Sequence, residues 1–206
     1  MADFPEENLN EDVDSLRVAW MNELNSPELL SFQTDLISDM VEQVQNQQSY
    51  VDEIAADTAA MTEERSFANK LYQMEIDRIK YMLASYLRIR LMKIEQHTIH
   101  ILNESQDKLS QGEVEYAQQY HALYVSHCND LILSKFPEDQ QKLDEDHMVD
   151  APDLDAFVFC QSTEDIGNVQ IDDRGAEHVN ARKDDRHVLR YRVIRSLVEQ
   201  GKMKLL

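Results

Sequence analysis

The sequence predicts an α+β fold that is mainly α, with an N-terminal helical bundle, one long central helix and a small β-rich C-terminal domain. Three observations lead to this class. The 206 residues contain only four glycines and four prolines, so long uninterrupted helices are possible. Apolar residues recur at spacings of three and four through most of the first 136 positions, as in helices. After residue 152 they alternate or form short runs, which is typical of strands.

We predict four segments along the chain. Residues 1–11 are expected to be a disordered acidic N-terminus and residues 12–136 a helical domain. Residues 137–151 are acidic and lack periodicity, as an interdomain linker does. Residues 152–206 form the β-rich domain, which at this size is near the lower limit for independent stability.

Charge is distributed unevenly along the chain, which has a net charge of −20. Residues 1–64 hold 16 acidic side chains and the single base Arg17, and residues 137–173 hold 12 acidic side chains and one base. Residues 174–206 carry nine bases and four acids. The overall charge argues against tight binding of duplex DNA by the chain alone. The basic segment 182–195 is the one candidate for contact with nucleic acid.

The helical domain is predicted to contain four helices. Ser26-Pro27 is expected to begin a new helical segment, with Ser26 as its N-cap and Pro27 at its first position. Ser110-Gln111-Gly112-Glu113 matches the capping-box pattern. On the last helix, the residues expected to face inward are Val114, Ala117, Tyr124, Cys128, Leu131 and Ile132. The expected helices span residues 12–25, 34–56, 63–105 and 111–135.

The third helix carries two apolar stripes at 100° per residue. One stripe comprises Phe67, Leu71, Met74, Met82, Ile89, Met92 and Ile99. The roughly opposite one comprises Tyr72, Ile76, Ile79, Leu83, Leu87, Ile94 and Ile101. A surface helix needs one such stripe. Two stripes predict burial on two sides, either as the central helix of a self-contained bundle or with one side meeting a different chain.

The β-rich domain is expected to hold strands at 156–160, 168–172, 187–194 and 202–206. Ser196 is expected to cap a single helical turn that Gly201 ends.

No pattern in the sequence supports an enzyme. The four glycines stand alone, which excludes phosphate-binding and dinucleotide-binding loops, and two cysteines are too few for a thiolate zinc site. Glu-x-x-His pairs, which di-metal helical bundles need, do not occur. His97 and His100 share a helix without an accompanying ligand set, and Cys128 is expected to be a buried structural thiol. No metal, cofactor or catalytic residue is therefore predicted, and no apolar run approaches the length of a membrane span.

The long helix carries the most specific family pattern, Gln73-Met-Glu-Ile-Asp-Arg-Ile-Lys-Tyr-Met-Leu-Ala-Ser-Tyr-Leu-Arg-Ile-Arg-Leu-Met-Lys-Ile-Glu95. Ala19-Trp-Met-Asn-Glu23, Pro152-Asp-Leu-Asp-Ala-Phe-Val-Phe159 and Leu189-Arg-Tyr-Arg-Val-Ile194 add shorter pieces. On these residues the sequence resembles the SLD-five subunits of the eukaryotic GINS complex.

The resemblance implies a nuclear, non-catalytic subunit of the heterotetrameric GINS complex in DNA replication. Its partners would be the other three GINS subunits, of the PSF type, the MCM ring with its activating factor in the CMG helicase, and replicative polymerases, with DNA contact indirect or weak. The alternative is an adaptor or nucleic-acid-binding module that uses the basic C-terminal segment. Residues 45–62, 103–150 and 162–186 match the family poorly, so no role is transferred to them.

A subunit of this kind needs an interface, and two groups of residues are the candidates for it. On the long helix they are Tyr81, Tyr86, Leu87, Arg88, Arg90, Leu91 and Ile94. In the C-terminal domain they are Phe157, Phe159, Leu189, Tyr191, Leu205 and Leu206.

Overall fold

The computed structural model describes residues 6–57, 62–137, 140–143, 145, 148–171 and 178–206, with side chains from residue 11 onward. Within it the chain forms two compact units. The first unit joins Met1–Trp20 to Gln33–Leu87, and the second joins Met21–Phe32 to Arg88–Leu206. The mainly helical α+β class is confirmed, since the described residues form six α-helices and five short strands.

The first unit is built from three helices. These are α1 (Glu6–Asn25), α2 (Thr34–Ala56) and the long α3 (Glu63–Gln96), of which the parts up to Trp20 and Leu87 belong here. Their facing apolar stripes are buried and form the core listed here: Leu16, Ile37, Met40, Val44, Val51, Ile76, Ile79, Met82, Leu83 and Tyr86. Burial of these side chains is the main force that holds the unit together.

Amide side chains tie α2 to α3 at the rim of this core. The Gln48 side chain donates to Gln73 Oε1 at 2.9 Å, and Asn69 donates to the Val51 carbonyl at 3.3 Å. The polar run at residues 45–48, which interrupts the apolar stripe of α2, thus contributes to packing of the helix pair.

The helical part of the second unit contains α4 (Thr98–Glu104) and α5 (Gln111–Leu131). The predicted capping box is confirmed: the Ser110 hydroxyl accepts from the Glu113 N–H, and the Glu113 carboxylate accepts from the Ser110 N–H at 2.8 Å. A small core of Leu29, Ile94, Ile101 and Ala117 holds these helices together.

The C-terminal part of the second unit is a small sheet covered by a helix. Strands β1 (Phe157–Ser162), β4 (Arg186–Arg190) and β5 (Met203–Leu205) form an antiparallel sheet in the order β4-β1-β5. Strands β2 (Gly167–Gln170) and β3 (His178–Ala181) form a separate antiparallel pair. Helix α6 (Tyr191–Glu199) closes the core through Tyr191, Ile194 and Val198.

Residues 21–32, which we call the strap, belong to the second unit and contact its C-terminal part directly. Asn22 accepts the backbone N–H of Leu205 at 2.7 Å, and Leu30 packs against the core beneath the sheet. Glu28 is buried between Lys108 Nζ at 2.9 Å and the Arg195 guanidinium at 2.7 Å. The strap therefore fixes α6 and β5 by an apolar contact and by charge-assisted hydrogen bonds.

Two helix boundaries differ from those predicted in the N-terminal part of the chain. Helix α1 already begins at Glu6, which suits the acidic residues there because a helix N-terminus favours negative charge. The expected disorder of residues 1–5 concerns positions outside the described residues. Ser26 caps no helix; its hydroxyl donates to the Glu28 carbonyl at 2.7 Å within the strap.

The single helix predicted for residues 63–105 is wrong at one point, because α3 ends at Gln96 and α4 starts at Thr98. The Thr98 hydroxyl donates to the Ile94 carbonyl, and His97 Nδ1 lies 3.0 Å from the Asp150 carbonyl. Side-chain hydrogen bonds of this type compete with the helical pattern, and the sequence alone did not reveal Asp150 as a neighbour of His97.

The predicted strand 187–194 is also too long. Strand β4 ends at Arg190, and Tyr191 starts α6, so the residues from 191 onward are helical. Tyr191, Ile194 and Val198 have helical spacing, and burial of that stripe outweighs the alternation read across residues 187–193. Gly201 ends the helix with φ +73°, as expected for a glycine after a helix. Strand β3 was not predicted at all.

Candidate assembly interface

One side of α3 is apolar and exposed in the first unit. Phe67, Leu71, Met74 and Tyr81, which we call the α3 stripe, lie on one face at helical spacing, and three of them are 64–68% exposed. Tyr81 also makes an edge-to-face contact with Trp20, with ring centroids 6.2 Å apart. The opposite stripe is buried at Ile76, Ile79 and Leu83. Met82, which the sequence pattern placed in the same stripe as Phe67, is buried.

The C-terminal end of α5 exposes a second apolar surface, in the second unit. Tyr124, Leu131 and Ile132, predicted to face inward, are exposed, as are Leu123 and Phe136. Ala117 is buried as predicted, so helical spacing located the inward face only over the first half of the helix. Cys128 is only partly buried, short of the fully buried thiol expected.

The outer face of the C-terminal sheet is a third exposed surface. Phe157 and Phe159 lie on the outer side of the central strand and are 66% and 64% exposed, and Val188 lies beside Phe159 on β4. The guanidinium of Arg190 lies 5.7 Å from the centroid of the Phe157 ring. Exposed aromatic residues beside arginine are typical of protein interfaces.

The second unit also contains a buried charged cluster centred on Arg90. Its guanidinium donates to Glu113 at 2.7 and 3.1 Å, to Glu23 at 2.9 Å and to the Leu30 carbonyl at 2.7 Å. Arg90 is 0% exposed. Because a buried charge is tolerated only when paired and hydrogen-bonded, this cluster determines how the strap, α3 and α5 pack.

Lys93 extends the same cluster. Its ammonium donates to Glu23 Oε1 at 2.8 Å and to the Glu28 carbonyl at 2.8 Å. Burial lowers the pKa of Lys93, and the neighbouring Glu23 carboxylate opposes that shift. Lys93 is thus a structural group, and apart from its place in the family pattern nothing in the sequence indicated this role.

The predicted interface residues divide into three classes. Leu87 and Leu91 are half-buried. Side chains buried within the chain itself are those of Tyr86, Arg90, Ile94, Leu189, Tyr191 and Leu205. Exposed ones are Tyr81, Arg88, Phe157, Phe159 and Leu206. An interface role for these residues stays a prediction, and the geometry favours the exposed class for it.

The basic C-terminal segment does not present all its charges to one surface. Arg192 pairs with Asp155 at 2.9 Å, and Arg195 contacts Glu28 at 2.6 Å. Burial would lower the pKa of Arg195, but Glu28 raises it, and the net shift is upward. Two of the bases that would form a nucleic-acid site are therefore occupied by carboxylates.

The described residues contain no group of three or more histidine, cysteine or acidic side chains arranged to hold a metal ion. Over the same part of the chain, no helix has the length and apolar character needed to cross a bilayer.

Comparison with known proteins identifies the family. A model described as the GINS complex protein helical bundle domain matches residues 35–132, and one described as the DNA replication complex GINS protein SLD5 C-terminus matches residues 152–206. A Dictyostelium discoideum protein named DNA replication complex GINS protein SLD5 is 34% identical over 201 residues, covering 94% of this chain and 91% of its own. The chain belongs to the GINS SLD5 family.

Two further SLD5 relatives agree with this. The Arabidopsis thaliana and Homo sapiens proteins of the same name are each 30% identical over 205 residues, covering 95% and 94% of this chain and 91% and 88% of theirs. The SLD5 pattern on α3 is thus also a packing pattern. Its last arginine, Arg90, and its last lysine, Lys93, form the centre of the buried charged cluster.

Proposed function

We propose that this chain is a non-catalytic structural subunit of a heterotetrameric GINS complex in the nucleus. Its role is to hold components of the replicative helicase, the MCM ring and its activating factor, at fixed geometry during initiation and elongation of DNA replication. Contacts to replicative polymerases extend the same role. Family membership supports the complex, and the three exposed apolar surfaces support the structural role.

The observation that carries the proposal is the α3 stripe. A long helix that buries one apolar side in its own unit and exposes Phe67, Leu71, Met74 and Tyr81 on the other is typical of a subunit of a larger assembly. Interfaces of obligate complexes bury about 2,000 Å² or more and are rich in such side chains. We therefore place the contact with a neighbouring GINS subunit on the α3 stripe.

The test is assembly of the complex with a charge placed in the stripe. Met74→Glu should prevent co-purification with the other three GINS subunits after co-expression, because a carboxylate would be buried in an apolar interface. Ala84→Glu is the matched control, since Ala84 is exposed on the same helix but lies about 80° from Met74 around the helix axis. Size-exclusion chromatography and native mass spectrometry report the composition.

Assembly of both variants into the four-subunit species would contradict the placement of the interface on the stripe. Failure of the unmodified chain to join the other three subunits would contradict the proposed function itself. Circular dichroism of the two variants shows that each keeps its helices, so that loss of assembly is not loss of folding.

A further inference from the structure

The outer face of the C-terminal sheet combines apolar and basic residues. Strand alternation places Phe157, Phe159 and Gln161 of β1 on this face. The outward positions of the two flanking strands are Arg186, Val188 and Arg190 on β4 and Lys204 on β5. None of these seven positions is acidic, although the chain carries 40 acidic residues. These seven positions therefore carry three cations around an apolar centre, with the Asp184 carboxylate at their edge, where it accepts from the Gln161 amide at 3.2 Å.

The same face continues to an open strand edge. Tyr191 donates its N–H to the Ala156 carbonyl, and Leu206 donates to the Phe159 carbonyl. Residues of an antiparallel pair alternate between hydrogen-bonded and non-hydrogen-bonded positions. Tyr191 is hydrogen-bonded to Ala156, directly before β1, so Val188, three positions earlier, is not hydrogen-bonded, and its N–H and C=O point away from β1. In the described part of the chain no strand lies beyond β4 in the sheet order β4-β1-β5. By contrast, Asn22 accepts the Leu205 N–H on β5.

We propose that β4 binds an extended acidic segment of another subunit of the complex, which adds a strand to the sheet. Pairing with the Val188 N–H and C=O would give affinity, and the outer face would select the sequence. Side chains of an added strand alternate, so every second residue would lie beside Arg186, Val188 and Arg190 in turn. The fitting pattern is acidic, any residue, apolar, any residue, acidic.

A protein segment fits this face better than single-stranded nucleic acid does. Nucleic acid would need aromatic faces free for base stacking and a longer track of cations. The Arg190 guanidinium already lies over the Phe157 ring, and the face offers three cations in a chain of net charge −20. An added strand would pair with the backbone N–H and C=O groups at the open edge of β4, whereas stacked bases would leave them unused.

The proposal rests on the proposed function, because the segment belongs to a partner in the same complex. A photo-cross-linking amino acid at position 159, in the co-expressed four-subunit complex, tests it. We expect a cross-link to a segment of another subunit with the acidic-apolar-acidic alternation, located by mass spectrometry of the peptides. An assembled complex without that cross-link, or with one to a segment lacking the alternation, overturns the proposal and leaves the proposed function standing.

A charge reversal provides the second arm. Arg186→Glu with Arg190→Glu should reduce the cross-link yield by about tenfold, and lysines in place of the partner's two carboxylates should restore it. The matched control is Arg182→Glu with Lys183→Glu, the same charge change in the exposed turn before β4, which should leave the yield unchanged. If the control pair lowers the yield equally, net charge is the cause and the proposal is wrong.

A (dT)20 oligonucleotide tests the alternative occupant of this face, single-stranded DNA. Salt-dependent binding of (dT)20 to the complex that Phe159→Ala abolishes, with cross-linking to the oligonucleotide instead of to protein, would assign the face to single-stranded DNA and overturn the acidic segment.

Discussion

Arg90 illustrates how a single residue in the SLD5 pattern acts. From the sequence it was a candidate interface residue, but its side chain is buried, and two carboxylates and two backbone carbonyls surround it. Its ring contact with Phe32, 5.1 Å from guanidinium carbon to centroid, completes the packing. Only arginine provides five donors in one plane, so the position needs arginine and not merely a positive charge.

Arg90→Ala should lower the free energy of unfolding by about 3–5 kcal/mol, because it leaves Glu23 and Glu113 buried with their main partner removed. The matched control is Arg88→Ala, an exposed position on the same helix, which should stay within about 0.5 kcal/mol of the unmodified chain. Thermal unfolding followed by circular dichroism at low micromolar concentration measures both. Equal melting of the two variants would contradict the structural role of Arg90.

The two cysteines should differ in reactivity. Burial raises the pKa of the Cys160 thiol to about 11, and its side chain is 0% exposed, whereas Cys128 is partly exposed. At pH 8 iodoacetamide should therefore modify Cys128 well before Cys160, and both should react in denaturant. Peptide mass spectrometry gives the two rates. Faster modification of Cys160 in the folded chain would contradict its burial.

The same shift gives a pH dependence. Because the pKa of Cys160 is higher in the folded chain, the unfolded chain loses its thiol proton first. The contribution of the Cys160 thiol to the free energy of unfolding is fully present below about pH 9 and falls between about pH 9 and 11. Cys160→Ala should remove that part of the decline in stability, as measured by denaturant unfolding at each pH.

At the scale of elements, the strap determines how the C-terminal sheet is fixed within the second unit. Glu28 is the link, because its carboxylate contacts Lys108 from the helical part and Arg195 from α6. The sequence indicated a helix start at Ser26-Pro27 and gave no sign that Glu28 reaches Arg195, which lies 167 positions further along the chain.

Glu28→Gln should speed hydrogen exchange in α6 and β5, since Lys108 and Arg195 would lose a charged partner. Amides of α2 in the first unit should exchange as before. Glu164→Gln is the control: its carboxylate is exposed and lies 4.0 Å from Lys202, where an ion pair contributes little. Unchanged protection of α6 and β5 in Glu28→Gln would show that apolar packing alone holds the sheet in place.

For the whole molecule, the exposed apolar side chains should decide how the isolated chain behaves. The α3 stripe, the end of α5 and the outer sheet face are exposed in a single chain, and surfaces of this kind associate in water. We expect the chain alone to form concentration-dependent oligomers at tens of micromolar. Phe67→Ser with Met74→Ser should reduce that association, as light scattering after size-exclusion chromatography measures. A monodisperse unmodified chain would contradict this prediction.

Local sequence patterns were enough to predict the α+β class, helices α2 and α5, the capping box at Ser110 and strand β1. These features depend on residues close together in the chain, where the spacing of apolar side chains and a local hydrogen bond determine the conformation. The sequence also predicted that α3 has two apolar sides. It could not tell which side this chain covers itself.

Tertiary structure alone decided that choice, along with the end of β4 and the pairing of Glu28 with Lys108 and Arg195. Each depends on residues that are distant in sequence, and nothing in local spacing specifies such neighbours. The role of Arg90 could not be predicted for the same physical reason. A charged residue in an apolar pattern fits an interface and a buried ion pair equally well, and only the fold brings Glu23 and Glu113 to it.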